Sequence, residues 1–235
     1  MPTQATPHIT TAGQERVARV SALYKEAFNT DPAITYMLTN LSSAARQSYL
    51  FTYFSALLTA AALNGAQFIE ANDFSSCMVL IPPGRRVDNP WTLLPAGLLG
   101  VVWNLGLKGL WRMLGEYGPL TDAAKAKGLM GQTKYYYVFL VATHSDHRGE
   151  GLTSALLREA LDKARQEGVP LWLEATTEYS WKLYASLGFE TVEEIVLGKG
   201  VAAADGTQKL GGEGVGIWGM VWEPSKAAKT DDMAI

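Results

Sequence analysis

Apolar residues recur at three- and four-residue steps from Gln14 to Phe28, through Val17, Val20, Leu23, Tyr24 and Ala27, which predicts a helix with one buried face. Asn29-Thr30-Asp31-Pro32 ends it, because the residue before a proline avoids helical geometry. Ser42 or Ser43 suits the N-cap of a second helix, which runs to about Leu63 with Tyr49, Tyr53, Phe54, Leu57 and Leu58 on its apolar side. Asn64-Gly65 closes it. AQFIEAND and SSCMVLIPP read as two strands around a polar turn. The β-branched and aromatic run KYYYVFLVATH predicts a buried strand. A helix follows Gly151, carrying Leu152, Ala155, Leu156, Ala160 and Ala164, and stops at Gly168. VPLWLEA is a short strand, Glu178 to Leu187 a helix stopped by Gly188, and FETVEEIVLG and Gly214 to Trp222 are two more strands. Val201 to Gly214, rich in glycine and polar residues, connects them as a loop or long hairpin.

Between Arg85 and Lys134 the alternation breaks down into apolar helices with unclear bounds. WTLLPAGLLGVVWNLGL, Trp91 to Leu107, is nearly free of charge but shorter than the ~20 residues of a bilayer span and is interrupted by Pro95, Gly97, Gly100 and Gly106. The favoured reading is helices packed on the domain or covering a pocket; interfacial membrane contact is the alternative. At 235 residues the chain suits one domain, 1–224, with an insertion at 85–134 and a flexible tail at 225–235. A net charge of −3 supplies no basic field for nucleic acid. The single cysteine, Cys77, lies in the apolar run CMVLI and reads as a core thiol, which excludes a disulfide framework and points to a reducing, cytoplasmic setting. MPTQATPHITT has no basic segment followed by an apolar run, so no secretory signal is expected. His8, His144 and His147 lack ligand-like spacing, and no metal site is expected.

The chemistry concentrates at SDHRGEGLTSALL, a strand-to-helix junction with two glycines. The first N–H groups of a helix lack internal partners and carry the positive end of its dipole. Glycines let an anion reach them; Thr153 and Ser154 add hydroxyls, and Arg148 adds charge. Neither the dinucleotide fingerprint nor the P-loop pattern is met. The stretch LVATHSDHRGEGLTSALL resembles the acetyl-CoA-binding motif of the GNAT family of N-acetyltransferases, Gln/Arg-x-x-Gly-x-Gly/Ala, here Asp146-His147-Arg148-Gly149-Glu150-Gly151 with Asp146 departing at the first position. Downstream, WLEATTEYSWKLYASLGFE resembles a second family block through Trp172–Glu174, Tyr184 and Leu187-Gly188-Phe189, with Thr177 where an asparagine is common.

The resemblance covers Tyr135 to Trp222 well and Gln14 to Gly84 loosely. It implies an α/β (α+β) fold: a mixed, twisted central sheet flanked by helices, with the insertion between the third and fourth strands. It also implies acetyl-CoA as co-substrate. The pantetheine arm would lie between splayed strands, along a strand that includes Val141, Ala142 and Thr143. The pyrophosphate would meet Arg148, Gly149, Glu150 and Gly151, with Thr153 and Ser154 nearby, and Thr177 stands where the family's asparagine contacts the pantetheine arm. Val141 N–H would steady the oxyanion, Tyr184 would protonate the leaving thiolate, and Glu174 or His144 would serve as base. The expected activity is acetylation of a primary amine of a small, partly apolar molecule, with the insertion and an acidic wall of Glu116, Asp122 and Glu174 on the acceptor side. The alternatives are a non-catalytic acyl-CoA-binding regulatory domain and an interfacial membrane-associated acyltransferase.

Overall fold

In the computed structural model, which describes residues 6–87 and 89–224, seven strands form one sheet. They are β1 (Ile9–Ala12), β2 (Gln67–Ala71), β3 (Ser76–Ile81), β4 (Tyr136–Thr143), β5 (Leu171–Ala175), β6 (Glu190–Leu197) and β7 (Val215–Trp222). The order is β1-β2-β3-β4-β5-β7-β6, and among the described residues only β4 and β5 pair in parallel. The helices are α1 (Val17–Ala27), α2 (Pro32–Met37), α3 (Ser43–Leu63), α4 (Pro90–Leu93), α5 (Leu98–Leu110), α6 (Gly118–Leu129), α7 (Leu152–Glu167) and α8 (Glu178–Ser186). Trp111–Tyr117, between α5 and α6, is π-helical. The expected tail at 225–235 lies outside the described residues.

The mixed sheet flanked by helices follows the pattern read above, with two additions. β1 is only ITTA, too short for its period to register, yet it pairs with β2 from Ile9↔Ala71 to Ala12↔Phe68. The Asp31-Pro32 step stops α1 and also starts α2. Asp31 Oδ1 accepts from Ile34 N at 2.9 Å, and Pro32 sits at the first turn, where no N–H is needed.

Apolar faces decide the layering. Leu156, Leu157, Ala160 and Ala164 of α7 pack on one face of the sheet; Leu50, Phe54 and Leu58 of α3 pack with α1 on the other. Cys77 is fully buried in β3, and burial pushes its thiol pKa well up, as suits a core thiol. The insertion is fixed at its α6 end. The Trp172 indole lies between Gly128 of α6 and Gly219 of β7, where an added Cβ would meet the ring at 2.6 and 2.9 Å. Only glycine permits that approach. No helix among the described residues is long and apolar enough to cross a membrane.

Candidate active site

β4 and β5 pair only at Tyr136↔Leu171, Tyr137↔Trp172 and Val138↔Leu173, then diverge. A bulge helps turn β4 away: against β3, Val79 and Leu80 face Leu140 and Val138, leaving Phe139 without an opposite residue. Beyond it, His144 N donates to Ser75 O at 2.8 Å, so alternation turns the N–H groups of Ala142 and Leu140 toward β3. Those of Val141 and Thr143 therefore face the gap. The gap widens into a cavity of about 840 Å³ lined by Val138 to Thr143, the loop and first turn of α7, Thr176 to Tyr184, and residues of α1, α2 and α3.

One end of the cavity is the glycine loop. Gly149 has φ 84° and Gly151 φ 73°, left-handed values that favour glycine. Gly151 caps α7 without a side-chain hydrogen bond, leaving the first N–H groups bare. The Arg148 side chain is exposed and has no partner among the described residues. Thr153 is engaged internally: its Oγ1 lies 2.7 Å from Thr143 Oγ1, which lies 2.9 Å from Ser76 Oγ. This hydroxyl chain fixes the end of β4 against the start of α7. Glu150 does not line the cavity; its carboxylate lies 3.2 Å from His147 Nδ1. Thr177 lines the cavity and caps α8, its Oγ1 accepting from Ser180 N at 3.1 Å.

The two residues expected as bases are differently placed. His144 is not among the lining residues. Its Nε2 lies 3.2 Å from Glu26 on the outer side, and its Nδ1 accepts from Asp146 N at 3.3 Å. Glu174 does line the cavity, but both oxygens are engaged. Tyr137 donates to Oε2 at 2.7 Å, Trp172 Nε1 donates to Oε1 at 2.7 Å, and Lys125 Nζ lies 3.6 Å from Oε1. Burial first, then the Glu174 charge, pushes the Tyr137 hydroxyl pKa well up, so it stays a donor. The cluster pins the closed end of the splay, and Lys125, over the Tyr137 ring at 4.5 Å, ties in α6. Glu174→Gln would turn an amide NH2 against one of these donors. A loss of about 2–4 kcal/mol in urea unfolding is expected. A change below about 0.5 kcal/mol, the scale of surface substitutions, would show that the cluster carries no stability.

Sequence reasoning missed Asp31. It is only 8% exposed, lines the cavity, and accepts from Thr176 Oγ1 through Oδ2 at 2.6 Å. Burial raises its carboxyl pKa above the usual 3.8. Its charge also helps raise the hydroxyl pKa values of Tyr53, Tyr117 and Tyr184, after burial as the main cause. Tyr184 is buried at the cavity wall, and its hydroxyl has no hydrogen-bond partner among the described residues. The Asp-Pro cap signal marks Asp31 as a helix start, but nothing local points it at Tyr184. The rest of this half is apolar and aromatic: Phe28, Ile34, Met37, Tyr53, Leu57, Met113 and Tyr117.

The expected acidic wall is not assembled. Glu116 accepts from Tyr36 (2.5 Å) and Gly198 N (2.7 Å) away from the cavity, and Asp122 is exposed beside Lys125 and Arg86. The insertion reaches the cavity through Met113, Leu114 and Tyr117, while Trp91, Trp103 and Trp111 stand outside in solvent.

Residues 110–189, which span the splay, the glycine loop and α8, match the model of the Acetyltransferase (GNAT) family. The match begins inside the insertion, at residue 110. Over 180 residues the chain is 24% identical to an uncharacterized N-acetyltransferase of Schizosaccharomyces pombe, covering 76% of this chain and 72% of that protein. The fold is similar to arylalkylamine N-acetyltransferase 2 of Aedes aegypti, at TM-score 0.59 and 16% identity over 93% of this chain and 99% of that one. It is equally similar to a polyamine N-acetyltransferase of Drosophila melanogaster, at TM-score 0.60 and 12% identity over 92% and 100%.

Proposed function

We propose that the protein transfers an acetyl group from acetyl-CoA to the primary amine of a small, partly apolar, cationic molecule by direct attack. One observation carries the reading: Asp31, a buried carboxylate, and Tyr184, an unpartnered hydroxyl, line the same cavity as the unpaired β4 edge. When bound, acetyl-CoA supplies an activated thioester carbonyl. The bare N–H groups at the start of α7, with the Ser154 hydroxyl and Arg148, hold the pyrophosphate. The Val141 and Thr143 edge of β4 pairs with the pantetheine amides. Val141 N–H donates to the acetyl oxygen as negative charge develops there. Tyr184, kept protonated by burial, delivers its proton to the departing sulfur. Asp31, which unlike Glu174 has no cation beside it among the described residues, attracts the ammonium form of the acceptor and takes the proton that the amine must lose on a lone pair left free by its bonds from Ile34 N and Thr176 Oγ1. The apolar, aromatic lining of the acceptor half favours a carbon body over a highly charged peptide. Similar folds in enzymes described as acting on arylalkylamines and forming N-acetylagmatine support an amine acceptor.

Acetyl-CoA at about one hundred times its dissociation constant should stabilise the fold by about 2.7 kcal/mol. Calorimetry and thermal melting check this; no shift at millimolar acetyl-CoA would remove the co-substrate assignment. Free-thiol release with phenethylamine, agmatine and a lysine peptide then ranks acceptors, with phenethylamine expected first.

A further inference from the structure

Exposed large apolar side chains concentrate in the insertion. Leu99 and Trp103 lie on the first part of α5, Gly106 (φ 61°) breaks the helix, and Leu107 and Trp111 follow the break into the π segment; all four stand in solvent, with Trp103 89% exposed. Trp91 precedes this row and Leu114 follows it, both exposed. Val101 and Leu105 of the same helix are buried in the core with α3. The segment before Gly106 is thus apolar on the side the domain covers and on the side it leaves open, and the exposed apolar residues continue past the break. A helix of that kind has a second apolar neighbour.

The charge pattern says which one. Between positions 89 and 115 there is no aspartate or glutamate, only Lys108 and Arg112, in a chain of net charge −3. Lys108 is exposed and has no ion pair among the described residues; Arg112 is held by Asn40 at 2.8 Å. The three indole N–H groups of the face have no hydrogen-bond partner among the described residues. Indoles with a polar edge, leucines and an unpaired cation suit the headgroup boundary of an anionic bilayer. The face is also continuous with the site: Leu114, 64% exposed, lines the cavity with Met113 and Tyr117. We propose that this face seats the protein on an anionic lipid surface, so that the acceptor half opens at the boundary and takes amphipathic amines that partition there. The substrate clause rests on the acetyltransferase reading; the docking clause does not.

Vesicle sedimentation tests the docking clause with phosphatidylcholine alone and with phosphatidylserine added. Binding should require the anionic lipid, shift tryptophan emission to the blue, and weaken at least ~10-fold in Trp103→Ser/Trp111→Ser. Lys108→Glu, which alters no packed side chain, should weaken it by ~5-fold or more. Unchanged melting and unchanged KM for soluble phenethylamine would show that the variants fold. No vesicle binding by the native protein, or binding indifferent to both variants, overturns the proposal. So does a concentration-dependent dimer that the tryptophan changes abolish without any vesicle binding, since the occupant would then be a second copy. For the substrate clause, the tryptophan variant should raise the KM for vesicle-borne dodecylamine and not that for phenethylamine. Turnover of phenethylamine without dodecylamine overturns this clause alone. Absence of all amine turnover overturns the acetyltransferase reading and leaves vesicle binding to decide the docking clause.

Discussion

Replacing Tyr184 with phenylalanine should lower kcat by ~10²–10⁴-fold, the usual contribution of a positioned general acid. Acetyl-CoA affinity should hardly change, because a general acid acts only as charge builds on sulfur. Stability should also hold. The ring keeps its packing near Phe189, and the hydroxyl has no bond among the described residues to lose. Burial makes ionisation of this phenol unfavourable, so the proton is present throughout the working pH range. Where product release limits turnover, single-turnover kinetics expose the chemical step. A native single-turnover rate in the phenylalanine variant would make Tyr184 a packing residue and require another proton source.

The parts of the site that are local in sequence were legible, and those assembled across the chain were not. The strand-glycine-helix block can be read because left-handed backbone at Gly149 and Gly151 and a bare helix start require glycines at those positions. Tyr184 could be placed because the helix containing it ends in a recognisable Leu-Gly-Phe turn. Glu174 was misleading. It stands near the end of a splayed strand, as a base would, but its donors come from β4, from its own strand and from α6, distant in sequence. His144 misled for a simpler reason: it follows the last residue of β4, and its ring turns outward to Glu26. The tryptophans of the insertion read as cover for a pocket because apolar residues are usually buried. A helix with apolar residues on both sides gives no local sign of which side the domain takes.

Asp31→Asn should reduce kcat/KM by about 10²-fold or more while raising the melting temperature at neutral pH. The amide preserves the local geometry. Its oxygen can still accept from Ile34 N and cap α2, and its NH2 can donate to Thr176 Oγ1 in place of the bond that Oδ2 accepts. What disappears is a buried charge. Because burial raises the folded-state pKa above 3.8, the Asp31 contribution to stability is fully present below the unfolded value and lost as pH rises through the folded one. Native protein at pH 7 therefore bears a cost that the variant escapes, and the two melting curves should converge as pH falls toward the unfolded value. Activity should run the other way. Native kcat/KM should fall on the acid side as Asp31 takes up its proton, and the variant should lack that limb while staying low throughout. Greater stability with less activity is the signature of a charge kept for function. If the variant instead melts lower and acetylates amines at the native rate, Asp31 is only the cap of α2.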